Sequence, residues 1–80
     1  MDDLEIVQRI SKLADEEHTL ERDHGVGEMS EEQVARLRSV EVALDQCWDL
    51  LRQRRARRAS GQDPDGADVR PSSIVEGYQQ

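Results

Sequence analysis

Apolar residues recur every three or four positions in two stretches of the chain, which is the spacing of an amphipathic helix. The first stretch contains Ile6, Val7, Ile10, Leu13, Ala14 and Leu20. The second contains Val34, Leu37, Val40, Leu44, Cys47, Trp48 and Leu51. The pattern predicts helix one over roughly residues 3–23 and helix two over roughly residues 31–59.

Polar residues at the start of each stretch carry helix-capping signals. Asp2 or Asp3 can accept from the free amides of the first turn of helix one, and Glu5 stands where a capping-box acid would reach back. Ser30 and Gln33 have the spacing of a second capping box. Both helices therefore have a defined beginning.

The two helices are expected to form an antiparallel hairpin that resembles a coiled coil. Gly25, after His24, can end helix one, while Gly61 and Pro64 can end helix two. The connection between the predicted helices, residues 24–30, is short enough that it must return the chain antiparallel. The expected register places Ile6 near Trp48. The predicted fold is all-α, with a hairpin domain over residues 1–60.

The apolar core of such a hairpin is thin, because the chain has 80 residues, no Phe, one Trp and one Tyr. A lone hairpin also leaves one side of both helices in water, and pairing with a second copy into a four-helix bundle would cover it. We therefore expect a homodimer. Its interface candidates are Leu4, Trp48, Leu50 and Leu51, although an intrachain core position is an equal alternative for Trp48.

Charge is concentrated at the end of helix two, where the charged patch contains Arg52, Arg54, Arg55, Arg57 and Arg58, although the chain has a net charge of −7. One interpretation is structural, since cations complement the dipole at a helix C-terminus and Asp2, Asp3 and Glu5 are placed to pair with them. The alternative is a phosphate-binding patch. We favour the structural interpretation because these arginines spread over more than half of the helix circumference and no aromatic residue lies among them.

The last twenty residues contain Gly, Pro, Ser and Asp in a pattern that continues neither helix nor strand. We expect a mostly irregular, flexible tail over residues 61–80. Within it, Ile74, Val75 and Tyr78 predict a docking segment over residues 74–78, which would rest either on the chain's own helices or in the groove of a partner.

Catalytic chemistry is poorly represented. Glu21 and His24 have the spacing of metal ligands in helical bundles, but carboxylates from a second helix are not expected near them, so they are weak metal candidates. Cys47 is better interpreted as a small buried apolar residue than as a nucleophile. We expect no enzyme activity and no cofactor. The single cysteine and the lack of a long apolar run predict a cytoplasmic protein without a membrane span.

Several sequence blocks together resemble a known family. They are DEEH at residues 15–18, LDQCWDLLRQRRARR at 44–58, GQDPD at 61–65, VRP at 69–71 and VEGY at 75–78. In this order they resemble the short actinobacterial proteins classed as domain of unknown function 2630. The resemblance implies a cytoplasmic single-domain protein, and it supplies no activity, cofactor or catalytic residue.

The sequence therefore predicts a small non-catalytic protein that acts as a protein–protein interaction or adaptor module with an unidentified partner. One alternative is a nucleic-acid or ribonucleoprotein accessory protein that uses the arginine-rich end of helix two. A second alternative is a metal-binding helical bundle.

Overall fold

The structure, a computed structural model, describes residues 1–22, 27 and 29–76. Helix α1 spans Asp3–Arg22 and helix α2 spans Glu31–Ala59. A single 3₁₀ turn follows at Pro64–Gly66, and the short helix α3 spans Ser72–Val75. No strand occurs within the described ranges. The predicted all-α class is confirmed.

Both long helices begin with reciprocal capping contacts. The Glu5 amide donates to Asp2 Oδ1 at 2.8 Å, and the Asp2 amide donates to Glu5 Oε1 at 3.2 Å. At α2, the Gln33 amide donates to Ser30 Oγ at 3.1 Å, while the Ser30 amide donates to Gln33 Oε1 at 2.8 Å. The predicted capping box at Ser30 is confirmed, and it satisfies amides that the first turn would otherwise leave unpaired.

Helix α2 ends where a glycine adopts a backbone conformation that other residues avoid. Gly61 has a φ of 76°, in the left-handed region that glycine enters without a steric penalty. The Gly61 amide donates to the Arg58 carbonyl at 3.1 Å, and the Gln62 amide donates to the Arg57 carbonyl at 2.8 Å. These bonds pair carbonyls of the last helical turn and direct the chain away from the helix axis.

The two long helices pack antiparallel. At one end, Asp3 near the start of α1 pairs with Arg54 near the end of α2, with Arg54 Nε 2.5 Å from Asp3 Oδ1. At the other end, Arg36 Nε donates to Glu16 Oε1 at 2.6 Å. Between these ends, the seam between the helices is filled by a buried apolar cluster of Ile6, Ile10, Cys47, Leu50 and Leu51.

The segment after α2 folds back along the same helix. Gln53 Nε2 donates to the Asp68 carbonyl at 2.8 Å, and Gln46 Nε2 donates to the Arg70 carbonyl at 3.2 Å. Helix α3 then packs against α2, and Val75 is buried. Residues 61–76 therefore run antiparallel to α2 and cover one side of it.

A buried carboxylate anchors this returning segment. Asp49 is fully buried, and Arg70 Nε donates to its Oδ2 at 2.8 Å while Arg70 Nη2 bonds to its Oδ1. Gln53 Nε2 donates to Asp49 Oδ2 at 3.0 Å. The hydrogen bonds from Arg70 lower the pKa of Asp49, because they favour its charged form more than burial disfavours it. A buried charge needs such a partner, so the burial of Asp49 in α2 depends on Arg70 of the returning segment, and the position of the segment depends on Asp49.

Composition gave no indication of these contacts between the predicted tail and α2. The contacts join side chains of α2 to backbone carbonyls and to the Arg70 guanidinium, and apolar periodicity carries no information about either. Val75 of the predicted docking segment rests within the chain, whereas Ile74 is exposed. Tyr78 lies outside the described residues.

We expect Arg70→Ala to lower the free energy of unfolding by about 2 kcal/mol, because it leaves the Asp49 carboxylate buried without its bidentate partner. Amide exchange should also become faster at Gly66, Ala67 and Glu76, whose hydrogen bonds depend on the docked segment. Urea unfolding and hydrogen exchange would measure these effects.

The matched control is Arg55→Ala, which removes an exposed arginine from α2 and should change stability by no more than about 0.5 kcal/mol. Equal losses in the two variants would show that the ion pair does not hold the segment in place.

Candidate interaction surface

The hairpin has two sides, and the returning segment packs on one of them, coming near Asp45 and Glu41 at the edge of the other only at Glu76. Successive residues of a helix are rotated by about 100°, so Asp49 comes about 180° around α2 from buried Val40, whereas Trp48 comes only about 80° around. The segment contacts the side that carries Asp49 and Gln53. Trp48 projects from the uncovered side of α2.

The same division applies to α1. Measured from buried Ile6, Arg9 comes at about 300° and Val7 at about 100°, on opposite sides of the seam. Arg9 lines a shallow depression together with Leu50 of α2 and Val69 of the returning segment. It therefore lies on the covered side, and Val7 lies on the uncovered side with Trp48.

We call this uncovered side the open face. On α1 it consists of residues 4, 7, 11 and 14, and on α2 of residues 34, 37, 41, 44 and 48. By name these are Leu4, Val7, Ser11, Ala14, Val34, Leu37, Glu41, Leu44 and Trp48. On both helices the members alternate in steps of three and four, so each set forms a second stripe beside the stripe that builds the core.

Large apolar side chains on the open face remain in contact with water. The exposed fractions are 65% for Leu4, 49% for Val7 and 46% for Trp48. The expectation that Trp48 would lie near Ile6 in the seam differs from this arrangement. The physical reason is its rotation of about 80° from Val40, which leaves only part of the indole against the seam.

The remaining interface candidates are divided between the core and helix α3. Leu50 and Leu51 are core residues, with only 4% and 3% of their surface exposed. Val75 is buried where α3 packs on α2, and Ile74 of the same short helix is 49% exposed. Of the residues that the sequence nominated, only Leu4 and Trp48 belong to the open face. Val7 and Ala14 have the same spacing but were named only as members of the apolar stretch of helix one.

The arginine-rich end of α2 is largely engaged within the chain. Arg54 is buried and pairs with Asp3, and its Nη1 lies 2.9 Å from Asp65 Oδ1. Arg58 Nη2 lies 2.6 Å from Asp3 Oδ2, and Arg57 Nη1 donates to the Asp63 carbonyl at 3.5 Å. Arg52 and Arg55 are exposed, and no ion pair joins either of them to another described residue. Arg54, Arg57 and Arg58 therefore hold parts of the fold together, whereas Arg52 and Arg55 face solvent.

Asp3 is the acidic centre of this end. Its two oxygens accept from Arg58 and Arg54, and these hydrogen bonds lower the pKa of Asp3 from 3.8 to about 2. The start of α1 and the end of α2 are joined in this way. Asp2 and Glu5, by contrast, use their side chains to cap α1.

The described residues show no assembled chemical site. The thiol of Cys47 is buried, and burial raises its pKa, which favours the neutral form over the nucleophilic thiolate. Within residues 1–22 and 29–76, no three His, Cys, Asp or Glu side chains converge as metal ligands. Glu21 is exposed near the end of α1, and His24 lies outside the described residues.

The chain belongs to the family described as protein of unknown function (DUF2630), whose family model matches residues 2–80. It is similar to uncharacterized proteins of Mycobacterium bovis and of two strains of Mycobacterium tuberculosis, with 51% identity over 79 residues in each case. The matched region covers 95% of this chain and 88% of each relative. The resemblance to an actinobacterial family is therefore confirmed.

No solved structure matches the chain significantly. Among the helices that the structure describes, none combines the length and the apolar character that a bilayer crossing requires.

The Asp3 ion pairs predict a measurable pH dependence. Because the folded pKa of Asp3, about 2, lies below its ordinary value of 3.8, these pairs stabilise the fold above pH 3.8, and their contribution is lost as the pH falls toward 2. A carboxyl-carbon NMR titration should find the low pKa in the wild type. In Arg58→Gln it should return toward 3.8, and Asp3→Asn should unfold with a weaker pH dependence. An unchanged pKa in Arg58→Gln would contradict the pairing.

Proposed function

We propose that this chain is a small non-catalytic protein–protein interaction module that binds its partner through the open face. The observation that carries the proposal is the position of Trp48, whose indole is 46% exposed on the side that the returning segment leaves uncovered. Tryptophan and arginine are enriched among the residues that dominate binding energy at interfaces. Arg52, exposed one turn along α2 from Trp48, can supply a polar rim.

Leu4 and Val7 extend this apolar surface onto α1. Both are about half exposed or more, and with Trp48 they form a patch across two helices. Water contact with such a patch is unfavourable, so a partner that covers it gains the free energy of apolar burial. Because the core stripe fixes the backbone of both helices, the patch is already in place before a partner binds.

The adaptor role is favoured over catalysis by the chemistry of the open face. Its nine members include one carboxylate, Glu41, and one hydroxyl, Ser11, and the rest are apolar. A reaction needs convergent acid, base or nucleophilic groups, whereas a binding surface needs apolar area with a few polar groups.

Val7→Gln should weaken partner binding by about tenfold, because a half-exposed apolar side chain in the interface contributes about 1 to 2 kcal/mol. The matched control is Ile74→Gln. Val7 and Ile74 have the same exposed fraction, 49%, but Ile74 belongs to α3 and is not a member of the open face. Capture of partners by the tagged full chain from the native extract, followed by quantitative binding, would compare the two variants.

The comparison also separates the candidate surfaces. Loss of binding in Ile74→Gln with normal binding in Val7→Gln would move the interaction to α3 and contradict the proposal. Binding that disappears after nuclease treatment would favour a nucleic-acid partner instead.

A nucleic-acid or ribonucleoprotein accessory role is the second candidate, and the exposure of Arg52 and Arg55 is the observation that favours it. Arg54 and Arg58 are paired with Asp3, so a phosphate group would contact mainly Arg52 and Arg55. Under this alternative, Arg52→Gln combined with Arg55→Gln should reduce the slope of log affinity against log salt for RNA by about 2. We expect no measurable difference from the wild type, and a reduced slope would support the alternative.

A further inference from the structure

We infer that the partner on the open face is a second copy of this chain, with α1 of each copy packed against α2 of the other. The inference rests on the proposed function and specifies its partner. It follows from the stripes, the charges and the side-chain sizes of the open face.

The first argument is the double stripe on each helix. A helix in a four-helix bundle contacts two neighbours, and it therefore needs two adjoining lines of contact residues. On α1 the core stripe contains Ile6 and Ile10, and the second stripe contains Leu4, Val7, Ser11 and Ala14. Helix α2 repeats this arrangement, with its second stripe rotated by about 80° from the first. A second hairpin would occupy both second stripes at once.

The second argument is charge, which selects the orientation of the second copy. Helix α1 carries six carboxylates and three cationic side chains, whereas α2 carries five carboxylates and seven arginines. Packing α1 against α2 of the second copy brings opposite net charges together. Packing α1 against α1 would oppose two acidic helices, which is unfavourable.

The third argument is size. A twofold axis parallel to the helices keeps each residue at its own height, so the register of the hairpin also applies between copies. The ion pairs Asp3–Arg54 and Glu16–Arg36 define that register, and they place Trp48 at the level of Val7 on α1. Ser11, the next member of the stripe after Val7, is small, so it leaves room beside Val7 for the indole of the second copy. Further along α1, Ala14 lies opposite Glu41 of the second copy.

The oligomeric state of two matched variants tests the inference. Sedimentation equilibrium of the full chain at micromolar concentration should give twice the chain mass of 9.1 kDa. Ala14→Glu places a carboxylate against Leu37 and Glu41 of the second copy, so it should weaken the dimer by at least about 100-fold and give a monomer. Gln8→Glu adds the same charge to exposed α1 surface outside the stripe and should remain dimeric.

Both substitutions lie at exposed helix positions, so circular dichroism should show an intact hairpin in each variant. A wild-type mass of 9.1 kDa, or an Ala14→Glu variant that stays dimeric, would overturn the inference. A wild-type monomer whose Val7→Gln variant still loses a different partner would overturn only the second copy as occupant. The proposed function would then stand.

Cross-linking tests the orientation. In a Cys47→Ala background, chains with Ala14→Cys mixed with chains with Glu41→Cys should form a disulfide-linked heterodimer. Neither variant should cross-link to itself, because the twofold axis separates like positions. Self-linking of Ala14→Cys or of Ser11→Cys would show α1 packed against α1 and would overturn the proposed arrangement.

Discussion

Two packed helices cover only the seam between them, and both flanks of that seam stay in water unless another element packs there. In this chain the constraint is severe, because the core cluster consists of five residues and contains no aromatic side chain. The returning segment covers one flank through Asp49, whose fully buried carboxylate is acceptable only because Arg70 is bonded to it. The open face is what remains uncovered once that contact is made.

The acidic and basic segments of the chain take on a structural meaning in this arrangement. Asp3 joins the first turn of α1 to Arg54 and Arg58 near the end of α2, so the most basic part of the sequence is neutralised by its own N-terminal region. Asp65 of the returning segment adds a second acid to Arg54. Arg52 and Arg55, the exposed arginines of this end that Asp3 does not pair, lie on the side of Trp48 and not in a separate basic patch.

Local signals in the sequence were sufficient to predict the two long helices and part of the charge pairing between them. Ser30 with Gln33 and Gly61 predicted helix ends because capping depends on residues close in sequence. The pairing of Asp3 with the arginines followed from antiparallel packing. The course of residues 61–76 could not be predicted, because it depends on Gln46 and Gln53 reaching backbone carbonyls that every residue possesses.

The open face was predicted only in part for a different reason. Leu4 and Trp48 were recognised, but Val7 and Ala14 were not separated from Ile6 and Ile10, because a helix with two adjoining stripes has one broad apolar side. Dividing that side requires the register of the partner helix, which the ion pairs at Asp3 and Glu16 supply. Leu50 and Leu51 were named as candidates for the interface between copies, but both fill the seam between α1 and α2.

The central claim is that a second copy covers Trp48. Trp48 is the only tryptophan of the chain, so its fluorescence reports the open face directly. If the account holds, dilution from micromolar to nanomolar concentration will shift the emission to longer wavelength and increase quenching by acrylamide, because the indole returns to water as the copies separate. Emission and quenching that stay constant across this range, at the values of a half-exposed indole, would contradict the claim.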